Sequence, residues 1–257
     1  MKITFEIYYH TRWGESLFLS GNIDELGANE ENRAVMMDYQ GDGLWKYTME
    51  LPASAKKFHY EYLVKSGEGI RREWGSPHSF SPGRNDGEYR LVDRWRDVPA
   101  DMPFYSSAFI QGIFFRQHAD SVVETIEPGT LTVKVDASQL RPDERLVMVG
   151  DCPELGDWDV LKAPLLNDSA FPEWQITFDG KHLKFPFEYK FVIVRTHQRE
   201  VVAWETGENR ICREKPQNPS EAVVVSGLRF NGFESRWKGA GTAIPVFSLR
   251  TDYGFGI

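Results

Sequence analysis

Cysteine and long apolar runs are both scarce in this 257-residue sequence. The two cysteines, Cys152 and Cys212, can build neither a disulfide framework nor a zinc-binding cluster, so both are expected to be free thiols. No stretch approaches the ~20 consecutive apolar residues of a membrane-spanning helix. The N-terminal stretch MKITFEIYYH alternates like a strand and lacks the apolar region and cleavage site of a signal peptide. These absences predict a cytoplasmic protein with no membrane partner.

Positive charge and catalytic motifs are also scarce. Lys and Arg total 30 against 38 Asp and Glu, and the net charge of −8 lacks the basic character expected for a nucleic-acid partner. The sequence has no G-x-x-x-x-G-K-[ST], H-E-x-x-H or G-x-S-x-G motif, and its six histidines lack ligand spacing. No catalytic residue, metal site or cofactor is therefore predicted. A complete small hydrolase, which turnover by the chain alone would reveal, is the less favoured alternative.

What the sequence does contain is a series of short strand patterns. Stretches such as SLFLSG, LWKYTMEL, TLTVKV and FEYKFVIV alternate or are rich in β-branched and aromatic residues, and Gly, Pro, Asn and Asp separate them. Helix-period stretches are short and weak. The pattern predicts an all-β protein built from two immunoglobulin-like antiparallel β-sandwiches in tandem.

The two halves of the chain resemble each other. LFLSGNIDELG corresponds to VMVGDCPELG, GLWKYTMEL to PEWQITF, YEYLV to FEYKF, and REWGS to VAWET, all at offsets of 127 to 130 residues. Four matches in order at a near-constant offset indicate an internal duplication. The predicted division is a first module over 1–95, a connector over 96–125, a second module over 126–236 and a separate final segment over 237–257.

The second module carries a set of residues suited to binding sugar. Trp158 follows Leu-Gly-Asp in a turn, where burial is hard to arrange, and Lys190 interrupts an apolar strand. Trp204 is followed by Glu205 and by Asn209. An indole can cover the apolar face of a pyranose, while lysine supplies donors, a carboxylate supplies acceptors and an amide supplies both. The alternative reading is that these tryptophans are core residues, as expected for Trp45 and Trp174 within alternating strands.

These stretches resemble a known family. VGDCPELGDW, FEYKF and WETGENR are similar to the signature of family-20 carbohydrate-binding modules, which are starch-binding β-sandwiches, over about Thr130 to Arg229. The resemblance implies a site where α-glucan stacks on two tryptophans beside Lys, Glu and Asn. The matching residues here are Trp158, Lys190, Trp204, Glu205 and Asn209.

The first module departs from that pattern. By this alignment Asn29 stands near the place of Trp158, Leu63 replaces Lys190, and Trp74 is followed by Gly75 where Glu205 should be. That site therefore looks dismantled. The stretch TRWGESLFLSG instead resembles the family's second sugar site, with Trp13 as one aromatic residue and Tyr39 as the other, whereas the second module has Pro142 in place of Trp13. The resemblance implies that each module keeps one sugar site.

The final segment IPVFSLRTDYGFGI resembles the opening of the catalytic barrel of glycoside hydrolase family 77, the 4-α-glucanotransferases. The combined resemblance implies a tandem that binds α-1,4-glucan, such as starch, glycogen or maltodextrin, and delivers it to the catalytic barrel of the same parent chain. Transfer there would need no metal, and its catalytic carboxylates would lie downstream. Two alternatives stay open: an ordinary terminal strand at this end, and a protein-interaction sandwich that keeps relic sugar sites.

Overall fold

The computed structural model describes residues 1–52, 57–83, 87–97 and 125–231. Within these ranges the chain forms seventeen strands and three short 3-10 turns, at Asp24–Leu26, Glu31–Arg33 and Pro153–Leu155. None of the described helical turns is long and apolar enough to cross a membrane. Most of the predicted connector, and the final segment that resembles a glucanotransferase barrel, lie outside the described residues.

The strands of the first module follow in chain order. They are β1 (Lys2–Tyr8), β2 (Ser16–Gly21), β3 (Val35–Met36), β4 (Asp38–Gly41), β5 (Leu44–Glu50), β6 (Phe58–Ser66), β7 (Gly69–Arg72), β8 (His78–Phe80) and β9 (Glu88–Arg94).

The second module repeats this series. Its strands are β10 (Thr130–Asp136), β11 (Glu144–Gly150), β12 (Asn167–Ala170), β13 (Glu173–Asp179), β14 (Phe187–Arg195), β15 (Val201–Trp204), β16 (Arg210–Cys212) and β17 (Glu221–Arg229).

The prediction of an all-β sandwich protein is confirmed, but the two sandwiches are not separate bodies. One eight-stranded sheet, the shared sheet, runs through both modules in the order β12-β13-β10-β17-β9-β1-β5-β4. The first small sheet contains β3, β2, β6, β7 and β8, and the second small sheet contains β11, β14, β15 and β16. The pairings β1 with β9, β10 with β17, and β9 with β17 are parallel, so the sandwiches are mixed rather than wholly antiparallel.

The pairing of β9 with β17, here called the seam, joins the last strands of the two modules. Its register aligns Glu88 with Glu221 and Asp93 with Ser226. Arg90 strengthens it with an ion pair to Glu221 at 3.1 Å, from Nε to Oε1. Six aligned residue pairs connect the modules here, so the seam extends main-chain hydrogen bonding from one module into the other.

Each hydrophobic core contains residues from both modules. Val92 of β9 is buried in the core of the second module, while Ala222 and Val224 of β17 are buried in the core of the first. Successive residues of a strand point to opposite faces of its sheet. The two small sheets therefore cover opposite faces of the shared sheet, and each core reaches across the seam.

The tryptophans expected in the core are buried. Trp174 is fully enclosed and Trp45 is 5% exposed. Cys152 and Cys212 are free, as predicted. Both are also buried, and burial raises their pKa values to about 11 and about 12. Both thiols are therefore protonated and unreactive at neutral pH.

A buried polar cluster lies at the seam on the first module's side. Asp93, which is fully buried, accepts hydrogen bonds from the hydroxyls of Tyr60 at 2.9 Å and Tyr62 at 2.6 Å. It also accepts one from Ser226 of the second module. Burying this carboxylate without such donors would cost roughly several kcal/mol. Because one of the donors belongs to the second module, the cluster fixes the register of the seam.

His78 connects this cluster to a buried ion pair. Its Nδ1 lies 3.0 Å from the Ser226 hydroxyl, and its Nε2 lies 3.1 Å from Glu73, which also binds Arg96 at 3.0 Å. Burial lowers the pKa of His78, but the carboxylates Glu73 and Asp93 outweigh it, so the net shift is upward. Burial raises the pKa of Glu73, but His78 and Arg96 outweigh it, so the net shift is downward.

These shifts predict a pH window for stability. The contribution of His78 is fully present below its unfolded pKa of about 6.5 and is lost as the pH rises through its higher folded pKa. The contribution of Glu73 is present above its unfolded pKa of about 4.3 and is lost as the pH falls through its lower folded value. We expect the free energy of unfolding of the wild type to fall as the pH rises above about 6.5, and this fall to be reduced in His78→Gln, as measured by urea denaturation.

The matched control for this prediction is His197→Gln, because His197 is exposed in the turn between β14 and β15. We expect it to keep the wild-type pH profile, whereas His78→Gln should also lower stability at pH 6 by about 1–3 kcal/mol through lost hydrogen bonds. A pH profile of His78→Gln that coincides with that of the wild type would contradict the prediction.

Candidate functional site

The outer face of the second small sheet carries three of the predicted site residues, Trp158, Lys190 and Trp204. Lys190 lies opposite Val149 in the β11–β14 pair, and Val192 lies opposite Trp204 in the β14–β15 pair. Val192 belongs to a small apolar cluster separate from the main core, and Trp158 packs against that same cluster. Trp158, Lys190 and Trp204 are thus brought together on one face, here called the Trp158–Trp204 surface.

The turn after β11 places Trp158 on this surface. The 3-10 turn Pro153–Leu155 ends at Gly156, which has φ 80°, and the Trp158 amide donates a hydrogen bond to the Gly150 carbonyl at 2.7 Å. Trp158 itself has φ 64°, in the left-handed region that bulky residues avoid. At the same point of the first module Asn29 has φ 65°, and its amide bonds Gly21 at 2.7 Å. Asparagine suits that backbone better, so the turn itself does not require a tryptophan.

Lys190 lies in the same row of β14 as Val192. Its ammonium donates hydrogen bonds to the carbonyls of Glu205 at 3.1 Å and Gly207 at 2.6 Å. An ammonium has three hydrogens, so this geometry leaves one for a ligand. Trp204, one residue before Glu205, is 42% exposed. The lysine therefore anchors the segment that follows the tryptophan and keeps a positive charge at the surface.

Asn209 and Glu188 complete the polar edge of the surface. The Asn209 amide donates to the Glu188 carboxylate at 2.8 Å, and Glu188 is two residues before Lys190 on the same face of β14. Sequence reasoning missed Glu188. The stretch FEYKF contained the signal for it, because side chains two residues apart on a strand lie on the same face of the sheet, and Glu188 is two residues before Lys190.

The side chain of Glu205 does not lie on this surface. It is 4% exposed, and its carboxylate accepts a hydrogen bond from Arg210 Nε at 3.0 Å. It also accepts one from the Phe191 amide at 3.4 Å. The expectation that this carboxylate binds sugar hydroxyls thus finds no support in the geometry, because its oxygens are already used inside the module.

Arg199 is a second residue that sequence reasoning missed. From the turn between β14 and β15, its Nη1 donates hydrogen bonds to the carbonyls of Leu161 and Ala163, both at 2.8 Å. These two carbonyls belong to the loop that begins with Trp158. Arg199 therefore ties the hairpin that carries Trp204 to the loop that carries Trp158.

A second aromatic surface lies on the first module. Trp13 is fully exposed in a turn closed by the Arg12 amide, which donates to Glu15 at 2.8 Å. Tyr39 on β4 is 56% exposed, and its ring packs against the buried Trp45 in a tilted arrangement with 5.1 Å between the ring centroids. We call these two residues the Trp13–Tyr39 surface.

Two hydrogen bonds connect Tyr39 to the segment that precedes Trp13. The Tyr39 hydroxyl accepts a hydrogen bond from the Gly43 amide at 3.2 Å, and the Gly43 carbonyl accepts one from the Tyr9 amide at 2.8 Å, four residues before Trp13. In the second module the Arg141 amide binds Glu144 at 2.8 Å in the same way, and Pro142 stands in the place of Trp13.

Comparison with known proteins identifies the family. The family described as starch binding domain, CBM_20, matches residues 1–83 and 130–223. This chain belongs to the starch-binding domain family. The two matched segments fall on the two modules, so the modules are two starch-binding domains in tandem.

Sequences related to this chain occur in larger proteins. The chain is 26% identical over 276 residues to the 4-alpha-glucanotransferase DPE2 of Oryza sativa subsp. japonica, covering 99% of this chain and 28% of that protein. It is 34% identical over 71 residues to the AA13 family lytic polysaccharide monooxygenase A of Aspergillus terreus, covering 26% of this chain and 18% of that protein. The chain therefore spans less than a third of either relative.

Among solved structures, the family 20 module of the maltotetraose-forming amylase from Pseudomonas saccharophila STB07 is similar at 19% identity. That match covers 37% of this chain and 98% of the other, with a TM-score of 0.31.

The strand registers correct the alignment of the two starch-binding domains. Gly21 faces Tyr60 just as Gly150 faces Tyr189, so Glu61, and not Leu63, corresponds to Lys190. The sequence alignment had slipped by two residues within two similar aromatic strands.

The partner strand shows the same slip. Leu63 pairs with Arg72 where Val192 pairs with Trp204, so Arg72, and not Trp74, stands in the place of Trp204. Glu73 then corresponds to Glu205, and it binds the Tyr62 amide as Glu205 binds the Phe191 amide.

The first starch-binding domain thus has the charged Arg72 where the second has Trp204, and the polar Asn29 where the second has Trp158. Arg72 binds both Glu61 and Glu31. The prediction that this site is dismantled agrees with that arrangement, but the replacing residues are different. The buried acid exists in both domains, which indicates a structural role for it.

The burial of Glu205 generates a prediction. Glu205→Gln leaves the Arg210 guanidinium without its full counter-charge in the interior, which costs about 3–5 kcal/mol. We expect urea denaturation, followed by tryptophan fluorescence, to show a loss of this size. The matched control is Glu188→Gln on the exposed face, with an expected change within about 0.5 kcal/mol. If Glu205→Gln kept the wild-type stability but lost sugar binding, Glu205 would instead be a sugar-binding residue.

Proposed function

We propose that the tandem binds α-1,4-linked glucan at the Trp158–Trp204 surface and at the Trp13–Tyr39 surface. The observation that carries the proposal is the placing of two partly exposed indoles and one lysine on a single face of the second starch-binding domain. The left-handed backbone at Trp158, a position that asparagine fills in the first domain, supports selection for the ring rather than for the turn.

Each side chain then has a defined part in binding. Trp158 and Trp204 cover the apolar faces of glucose units, and covering ~100 Å² of apolar surface is worth about 2.5 kcal/mol before association costs. Lys190 donates to a sugar hydroxyl, and Asn209 with Glu188 binds the neighbouring ones. Glu205 acts only by fixing the segment that joins Trp204 to Gly207.

Trp13 and Tyr39 form the second glucan contact, as a pair of aromatic rings.

The tandem is further proposed to be the substrate-targeting region of a 4-α-glucanotransferase. Support comes from the match to the rice glucanotransferase along nearly the whole chain and from the final segment, which resembles the opening of a family 77 barrel. In such a protein the starch-binding domains would hold starch, glycogen or maltodextrin while the catalytic barrel acts on it. The chain alone is then a binding unit and not a catalyst.

Calorimetric titration with maltoheptaose tests the glucan proposal. To isolate each surface, titrations use Trp13→Ala for the Trp158–Trp204 surface and Trp204→Ala for the Trp13–Tyr39 surface. We expect wild-type protein to bind two ligands per chain, each single variant to bind one, and the double variant to lose affinity at least tenfold. Cellohexaose should give no heat at any surface.

The matched control is Tyr8→Ala, because Tyr8 is half exposed and belongs to neither surface. It should bind as the wild type does. Since Trp13 is fully exposed and Trp204 lies on the outer face, outside the main core, both variants should also keep the wild-type urea midpoint. Wild-type binding in the double variant would show that these rings are not the glucan contacts.

A further inference from the structure

We propose that the shared sheet holds the two glucan surfaces on opposite sides of one rigid body, so that the tandem bridges two glucan segments. It does not clamp one short chain at both surfaces. This inference rests on the proposed function, and it adds the class of ligand that the tandem favours: a branched or many-chained glucan.

The seam is rigid because several contacts cross it. Lys134 of β10 donates a hydrogen bond to the Ser79 carbonyl of β8 at 3.0 Å, across the two modules. Arg90 of β9 donates to the Lys215 carbonyl at 2.8 Å. With Val92 enclosed in the other module's core, these contacts leave no hinge at the seam. The two surfaces therefore keep one fixed relation.

The Trp158–Trp204 surface lies on the side of the shared sheet that the second core covers. Val225 of β17 packs in the second core, so that core covers one face of the shared sheet. Phe191 of β14 closes the same core from the second small sheet, whereas Val192 points away from it into the separate outer cluster. Trp204, paired with Val192, therefore faces outward on the second module's side.

The Trp13–Tyr39 surface lies on the side of the shared sheet that the first core covers. Tyr39 pairs with Trp45 across β4 and β5, so both rings share one face of the shared sheet. Trp45 belongs to the first core, which covers the face opposite the second core. Trp13 precedes β2 of the first small sheet, on that same side. The two surfaces thus lie on opposite sides of the shared sheet.

The two surfaces are also far apart. Neighbouring strands lie about 4.8 Å apart, so the three strand spacings from β9 to β4 place Tyr39 roughly 14 Å beyond the seam. The second small sheet packs about 10 Å from the shared sheet, and the Trp158–Trp204 surface lies on its far side. The surfaces are therefore on the order of 20 Å apart and face away from each other. A short oligosaccharide on one surface would have to turn around the sheet to reach the other.

This geometry decides how two weak sites combine. A single ligand gains affinity from two surfaces only if it occupies both at once. This gain in affinity vanishes where the geometry of the protein prevents simultaneous binding. A glycogen particle or an amylopectin cluster offers many chain ends, so each surface can take a different chain. The tandem then joins neighbouring chains and retains the polymer through many such links.

Light scattering from glycogen mixed with the full chain tests this inference. We expect scattering to rise at substoichiometric protein and to fall again in excess protein, when each chain end is occupied separately. Trp13→Ala and Trp204→Ala should each still bind maltoheptaose at one surface, yet lose at least tenfold in scattering rise. Tyr8→Ala should scatter as the wild type does, and sedimentation should show a monomer, because a dimer would bridge even with one surface removed.

The outcomes separate the two proposals. If the wild type binds no maltoheptaose, the proposed function fails, and this inference fails with it. If two maltoheptaose molecules bind per chain but scattering never rises, only the bridging inference is overturned. It is also overturned if one long linear maltodextrin binds per chain with a gain in affinity that either single variant abolishes.

Discussion

The parallel pairing of β9 with β17 is the constraint on which the rest of the structure depends. It converts two edge strands, each of which would expose unpaired backbone groups, into the centre of one sheet. Because Val92 fills one core while Val224 fills the other, the pairing also completes both interiors. The Asp93 cluster allows only one register, since its donors Tyr60 and Ser226 come from different modules. The tandem is thus one folding unit with two faces.

Comparison of the two domains separates what the fold requires from what it leaves free. Both keep the buried acid next to its strand, as Glu73 with His78 and as Glu205 with Arg210. Both keep the left-handed turn after the second strand of the module. The exposed positions of the site differ in kind, with Arg72 in one domain where Trp204 stands in the other. A role in binding is therefore better argued from the exposed differences than from the shared acid.

Much of this arrangement could be read from the sequence, and the rest has identifiable physical reasons for being hidden. Alternation, turn residues and the repeat specified the strands and the duplication, and the turn at Trp158 showed that this ring was hard to bury. The burial of Glu205 was hidden because a carboxylate that follows a strand tryptophan can point inward if an arginine arrives from elsewhere in space. The two-residue slip at Glu61 was hidden because a shift of two preserves every inward and outward position. The seam left no signal, since Val92 looks like any core valine.

Rigidity would allow shallow surfaces of this kind to bind the glucan proposed for them. Sugar hydroxyls exchange contacts with water for similar contacts with protein, so net affinity depends on how little ordering the protein undergoes on binding. Here the ordering is already present before the ligand arrives. Arg199 fixes the Trp158 loop, Lys190 fixes the segment after Trp204, and neither needs the sugar to do so. The left-handed backbone of Trp158 costs about 1–2 kcal/mol, which the intact β-sandwich offsets during folding rather than at binding. On the proposed function, what remains to be ordered on binding is mainly the glucan itself, and this would favour ligands whose chains are already held close together.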